Sequence, residues 1–147
     1  MAWHPYDLDR LAQDIVLKAR QRDPESLNQA HRMRASCAYG LERFWGEHLR
    51  LARKDNDGDK GKADNDKAAF VGDVWRALVG VLHMAGITLP DQVMDANRSE
   101  ADILDVAERL WGLEKHDQQA ALAVLTNLCD AVVWWTQRLK PGSGRDR

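Results

Sequence analysis

The stretch from Phe70 to Ala85, FVGDVWRALVGVLHMA, leaves this chain few folds to choose from. Phe70, Val71, Val74, Trp75, Leu78, Val79, Leu82 and Ala85 recur at three- and four-residue steps, which places them on one broad face of a helix. Gly86 follows as a natural C-cap, and Ile87-Thr88-Leu89-Pro90 carries apolar side chains around a corner. A helix this apolar belongs at the centre of a core with other helices laid against it. Asp73 is the one acid inside it, and what that carboxylate faces decides between a structural and a chemical role.

The rest of the chain repeats the helical period. Pro5 suits a first helical turn, and Leu8, Leu11, Ala12, Ile15, Val16 and Ala19 form an inward stripe ending near Arg20 to Arg22. Asp23-Pro24 restarts a helix, with the aspartate accepting free amides and the proline placed where no amide is needed. From Pro24 to about Arg53, Leu27, Ala30, Met33, Cys37, Leu41, Phe44, Trp45, His48 and Leu51 lie close to one side. This predicts a second long helix, bent or closely approached by a neighbour at Gly40 and Gly46.

Residues 54–66, KDNDGDKGKADND, lack any strongly apolar side chain and read as a flexible polar loop. They do not make a calcium loop. With Gly58 at the sharp turn, Asp55, Asp57 and Asp59 alternate correctly, but Arg53 takes the first ligand position and Asp64 the place of the closing glutamate. After the corner, Pro90 can open a short helical piece through Val93 and Met94 that Asn97 to Ser99 interrupts. Ser99 and Asp102 make a capping box for a helix using Ile103, Leu104, Val106, Ala107, Leu110 and Trp111, ended by Gly112. A last long helix beginning after Asp117 uses Leu122, Leu125, Leu128, Cys129, Val132, Val133 and Trp135, and Pro141 with GSGRDR forms a frayed tail at 141–147.

No stretch alternates with the strand period. The expected architecture is therefore an all-α bundle of about five main helices and a short helical turn, in one domain over residues 1–147. A formal charge of -2 gives no general attraction to nucleic acid or membrane, and no apolar segment reaches spanning length. The first residues lack a basic leader before an apolar run, so the expectation is a cytoplasmic protein without a secretory signal. Cys37 and Cys129, among apolar neighbours, read as reduced and buried, although a disulfide between the second and last helices is geometrically conceivable. Of the six tryptophans, Trp3, Trp45, Trp75, Trp111, Trp134 and Trp135, most are expected to fill gaps between helices, with one or two marking an interface.

Chemical motifs are sparse. His4, His31, His48, His83 and His116 form no zinc-binding spacing with each other or with the cysteines, and His48 and His83 read as structural residues near core faces. There is no phosphate-binding loop, dinucleotide glycine motif or nucleophile elbow. Asp102, Asp105 and Glu108 are spaced as a solvated helix face, and Asp130 stands apart in the last helix. Arg10, Lys18, Arg20, Arg22, Arg32, Arg34, Arg43 and Arg50 do not share one helical face, and Trp45 stacks on a base only if it is exposed, so direct nucleic-acid binding is not expected.

Residues 70–97, FVGDVWRALVGVLHMAGITLPDQVMDAN, resemble the helix–turn–helix stretch of the MazG-like, all-α nucleoside triphosphate pyrophosphohydrolases. Asp73 matches the final acid of that family's E-x-x-D, Gly86-Ile87-Thr88-Leu89 its turn, Asn97 its asparagine, and Glu47 in GLERFWGEHL the last acid of its E-E-x-x-E segment. The chain departs from the pattern at Phe70, where the first acid belongs, and at Arg43 and Phe44, where paired glutamates belong. The resemblance implies Glu47 and Asp73 as magnesium ligands and a nucleoside triphosphate as substrate, with a metal stabilising the charge that develops on water attack.

Three functions follow as expectations. The first is a noncatalytic protein-interaction or assembly module, a homo-oligomer or a subunit with another protein, on a degenerate nucleotide-binding scaffold. Trp134 and Trp135 are its expected interface, because adjacent indoles on one helix point about 100° apart and a monomer core cannot easily cover both. The second is a Mg2+-dependent nucleoside triphosphate pyrophosphohydrolase using Glu47 and Asp73. The third is an accessory subunit of a nucleic-acid-binding complex.

Overall fold

The computed structural model describes residues 7–52, 58–91 and 98–140. Every regular element among them is helical: α1 (Leu8–Arg22), a 3-10 segment (Pro24–Gln29), α2 (Ala30–Ser36), a 3-10 turn (Cys37–Tyr39), α3 (Leu41–Leu51), α4 (Gly58–Met84), α5 (Glu100–Trp111) and α6 (Lys115–Leu139). The all-α bundle expected from the hydrophobic period is the fold, and no described helix is long and apolar enough to cross a membrane.

The central helix is α4, packed against α1, α3, α6 and the 3-10 segment. Phe70, Val71, Val74, Trp75, Leu78 and Leu82 are buried, joined by Val81; Ala85 is exposed because the helix has already ended at Met84. Trp75 stacks on Phe44 of α3 with ring centroids 6.3 Å apart. Its indole Nε1 donates to the Pro90 carbonyl at 3.0 Å, which ties the apolar corner to the core. Truncation of so completely buried an aromatic to alanine costs about 3–5 kcal/mol. The corner itself is built by Gly86 at φ 83, with Gly86 N–H donating to the His83 carbonyl and Ile87 N–H to the Leu82 carbonyl, the paired bonds of a Schellman ending.

The helix expected over Pro24–Arg53 is instead broken into four pieces. Asp23 does cap the restart, its Oδ1 accepting from Glu25 N–H, and all nine apolar-side residues from Leu27 to Leu51 are buried. The first turns tighten to 3-10 geometry over a buried Ser26, whose hydroxyl donates to the Ala19 and Asp23 carbonyls. Gly40, at φ 101, then turns the backbone where an L-residue is strained, so α3 starts afresh. Gly46 breaks nothing; it lies inside α3, and a Cβ there meets no atom within 4 Å.

Residues 58–66, expected within a flexible loop, are the first turns of α4. Gly61 and Asp66 are buried, and Lys62 Nζ lies 2.9 Å from Asp66 Oδ2 one turn on, so a polar composition here marks a helix held by an ion pair and by close packing. Asp59 and Asp64 are therefore helical, while Arg53, Asp55 and Asp57 lie outside the described residues, as do Pro5, the piece through Val93 and Met94, Asn97 and the tail from Pro141.

The capping box at Ser99 and Asp102 forms, each side chain accepting from the other's backbone N–H. Arg98, just before it, donates to the Leu49 and Ala52 carbonyls and so satisfies the end of α3. On α5 only Val106 and Leu110 are buried; Leu104 and Trp111, expected inward, are exposed. The short helix meets the core with one narrow stripe, and neither of those positions falls on it.

Candidate functional site

Glu47 and Asp73 stand on adjacent helices, α3 and α4, and each is held by arginines. Asp73 Oδ2 accepts from Arg22 Nη2 at 3.0 Å, and its Oδ1 lies 3.6 Å from Arg76 Nη1. Glu47 takes Arg50 in a two-pronged pair at 3.1 and 2.9 Å, accepts from Gln29 Nε2, and has Arg32 at 3.7 Å. The Arg50 hydrogen bonds outweigh partial burial and hold the Glu47 carboxyl below the usual glutamate range. Both carboxylates are thus paired with guanidinium groups. Among the described residues, no cluster of three or more His, Cys, Asp or Glu side chains is placed to hold a metal. Asn97 lies outside the described residues.

The histidines divide. His48 is buried, with Nδ1 against the Trp45 carbonyl and its ring edge-on to the Trp45 indole, the structural role expected of it. Burial pushes its pKa down. His83, expected near a core face, is exposed with His31 and His116, because the α4 stripe turns away from it in the last helical turn. His4 lies outside the described residues.

The basic residues are dispersed into local pairs. Beyond the arginines already named, Arg34 meets Asp130 and Arg20 donates to the Leu139 carbonyl. Trp45 is buried and offers no face to a base. Asp105 pairs with Arg109 one turn on, so the acidic set of α5 is a solvated, partly self-neutralised face.

The exposed aromatic feature is on α6. Trp134 is 48% exposed, whereas Trp135, one residue on, packs partly against the core. Their rings meet edge to face at 4.9 Å and 79°, and the Arg138 guanidinium lies 3.9 Å from the centre of the Trp134 ring. The indole is thereby gripped between an aromatic edge and a cation while much of it faces solvent. An open groove of about 440 Å³ runs beside it, lined by Asp9 of α1 and by Asn127, Asp130, Ala131, Trp134 and Trp135. Trp135 Nε1 is buried with no acceptor among the described residues.

Sequence reasoning placed the two tryptophans but not what surrounds them. Asp130 and Arg138 stand one turn before and one turn after Trp134 on the same helical stripe. That spacing is visible in the sequence; the groove is not, because Asp9 enters it from α1. No family model, curated protein or solved structure matches this chain.

Proposed function

We propose that this chain is a noncatalytic self-assembly module, in which the outer face of α6 docks on the same face of a second copy. The observation that carries the reading is the order Asp130, Trp134, Arg138, with an exposed indole midway between an acid and a base. Two such helices laid antiparallel about Trp134 set each Asp130 against the other copy's Arg138. Laid parallel, they oppose acid to acid and base to base. The face is thus self-complementary in one orientation only, as a two-fold interface requires.

The local chemistry supports the same arrangement. Arg34 engages Asp130 Oδ1, and Oδ2 has no partner among the described residues. Ala131 is small enough to let a second helix approach, and Trp134 is already ordered by Trp135 and Arg138, so little side-chain entropy is lost when it is covered. Tryptophan and arginine are the side chains that most often dominate binding energy.

Light scattering over a range of concentrations tests this. The wild-type chain is expected at twice its monomer mass and the Trp134→Ala chain at the monomer mass. A wild-type chain that stays monomeric throughout contradicts self-assembly and turns the same face toward a different protein.

A further inference from the structure

We propose that the outer face of α5, with the groove beside Trp111, docks a basic amphipathic helix of another protein. α5 gives the core only a narrow stripe, Val106 and Leu110, with Ile103 half-buried beside it. Leu104 and Trp111 are 58% and 61% exposed, although both are large and apolar. They share one row: Glu100, Leu104, Glu108 and Trp111 follow each other along the helix at steps of four, four and three residues. A single exposed leucine is ordinary on a protein surface, whereas two large apolar side chains in line, with a groove at one end, mark a contact face.

At Trp111 the row opens on a groove of about 170 Å³ between α5, α6 and the start of α3. Leu41, Leu110 and Leu122, buried or half-buried, give it an apolar lining, with Trp111 as one wall and Glu42 and Gln119 as its polar edge. Its shape is set before anything binds. Gln118 Nε2 donates to the Trp111 and Leu113 carbonyls at 3.1 and 2.8 Å, which fixes the corner between α5 and α6. A preformed apolar groove takes a large side chain as an anchor at little ordering cost.

Charge identifies the occupant. Glu100 and Glu108 are exposed, and neither carboxylate has a partner among the described residues; Asp105, by contrast, is taken by Arg109 at 3.0 Å. The row therefore alternates an unmatched acid with an apolar side chain over about 16 Å, roughly three helical turns. Its complement is a helix whose lysines or arginines fall between apolar residues at the same spacing, laid along α5 with one apolar side chain in the groove. A second copy of this row supplies no base in either orientation and leaves Glu100 and Glu108 unmatched. An anionic bilayer surface meets the same acids and is repelled.

The test uses the intact chain and a fluorescein-labelled peptide of about 18 residues, leucine and lysine in amphipathic helical order, read by fluorescence anisotropy. The wild-type chain is expected to bind it saturably, one peptide per chain, and not to bind its counterpart with glutamate for lysine. Trp111→Ala and Glu108→Lys should each weaken binding roughly tenfold or more. Trp134→Ala, on the α6 face, and Asp14→Lys, the same charge change at an exposed position of α1, should shift it less than about twofold. Absent binding overturns the proposal, and a fall in oligomeric mass in Trp111→Ala then assigns the face to a second copy. Equal losses in Glu108→Lys and Asp14→Lys also overturn it, because they mark diffuse charge attraction, as does unchanged affinity in Trp111→Ala. A benzophenone-bearing form of the peptide, irradiated with the wild-type chain, locates the site without any variant: cross-links on α5 or the groove support the proposal, and cross-links confined elsewhere overturn it. Trp111 and Trp134 are on different helices, so failure here leaves self-assembly through α6 untouched.

Discussion

Arg22 Nη2 donates to Asp73 Oδ2 at 3.0 Å, joining the last turn of α1 to the middle of α4 across 51 residues of sequence. Both side chains are largely shielded from solvent, and Arg22 Nη1 is already without an acceptor among the described residues. Removing the carboxylate charge therefore strands a half-buried cation. Asp73→Asn is expected to lower stability by about 1–3 kcal/mol in urea unfolding. Arg22→Met in the same background should return part of the loss, because it removes the uncompensated charge. An Asp73→Asn chain of wild-type stability with a changed magnesium affinity contradicts this role for the pair.

Two glycines on either side of the start of α3 should respond in opposite directions. Gly40 has φ 101, and a Cβ added there meets the Glu42 carboxylate at 3.2 Å, so Gly40→Ala is expected to cost about 1–3 kcal/mol. Gly46 is helical with open space around the Cβ position, and Gly46→Ala should add about 0.4–1 kcal/mol. Parallel thermal melts measure both. Equal effects would mean that the break at Gly40 is not imposed by its backbone.

His48 makes stability depend on pH with a definite sign. Burial, the largest cause, holds its folded-state pKa below the ordinary 6.5. The unfolded chain therefore takes up a proton first as pH falls. Its contribution is complete above about pH 6.5 and declines from there down to the folded-state pKa, by at most about 1.4 kcal/mol per pH unit. His48→Phe should flatten that slope in urea titrations between pH 7 and 5. A slope that persists unchanged in the variant assigns the dependence to another group.

The helical period carried most of the fold because burial is periodic. Every residue of the Leu27–Leu51 stripe is buried even though the helix is cut at Gly40, since the pieces on either side both turn the same face inward. Composition misled at 58–66, where aspartate and lysine read as loop but Lys62 and Asp66 are spaced to pair along a helix. The offset of adjacent indoles indicated that one core cannot easily cover both Trp134 and Trp135, but not which of them lies outside: Trp134 is half exposed and Trp135 packs inward. The partners of Glu47 and Asp73 were not legible, because Gln29, Arg32 and Arg22 reach them from other elements and nothing in a one-dimensional pattern aligns those elements. Cys37 and Cys129 are both buried free thiols, as their apolar neighbours in the sequence indicated.

The antiparallel α6 contact is tested most directly by sedimentation velocity on two charge variants, alone and mixed. Asp130→Arg and Arg138→Asp each place like charges opposite one another in a homodimer, so each chain alone should sediment as a weakened dimer or a monomer. Mixed, the two restore an opposite-charge pair at both ends of the interface, and a dimer should re-form at the wild-type position. A mixture that sediments as the sum of its two components, beside a wild type that dimerises, contradicts the antiparallel α6 contact.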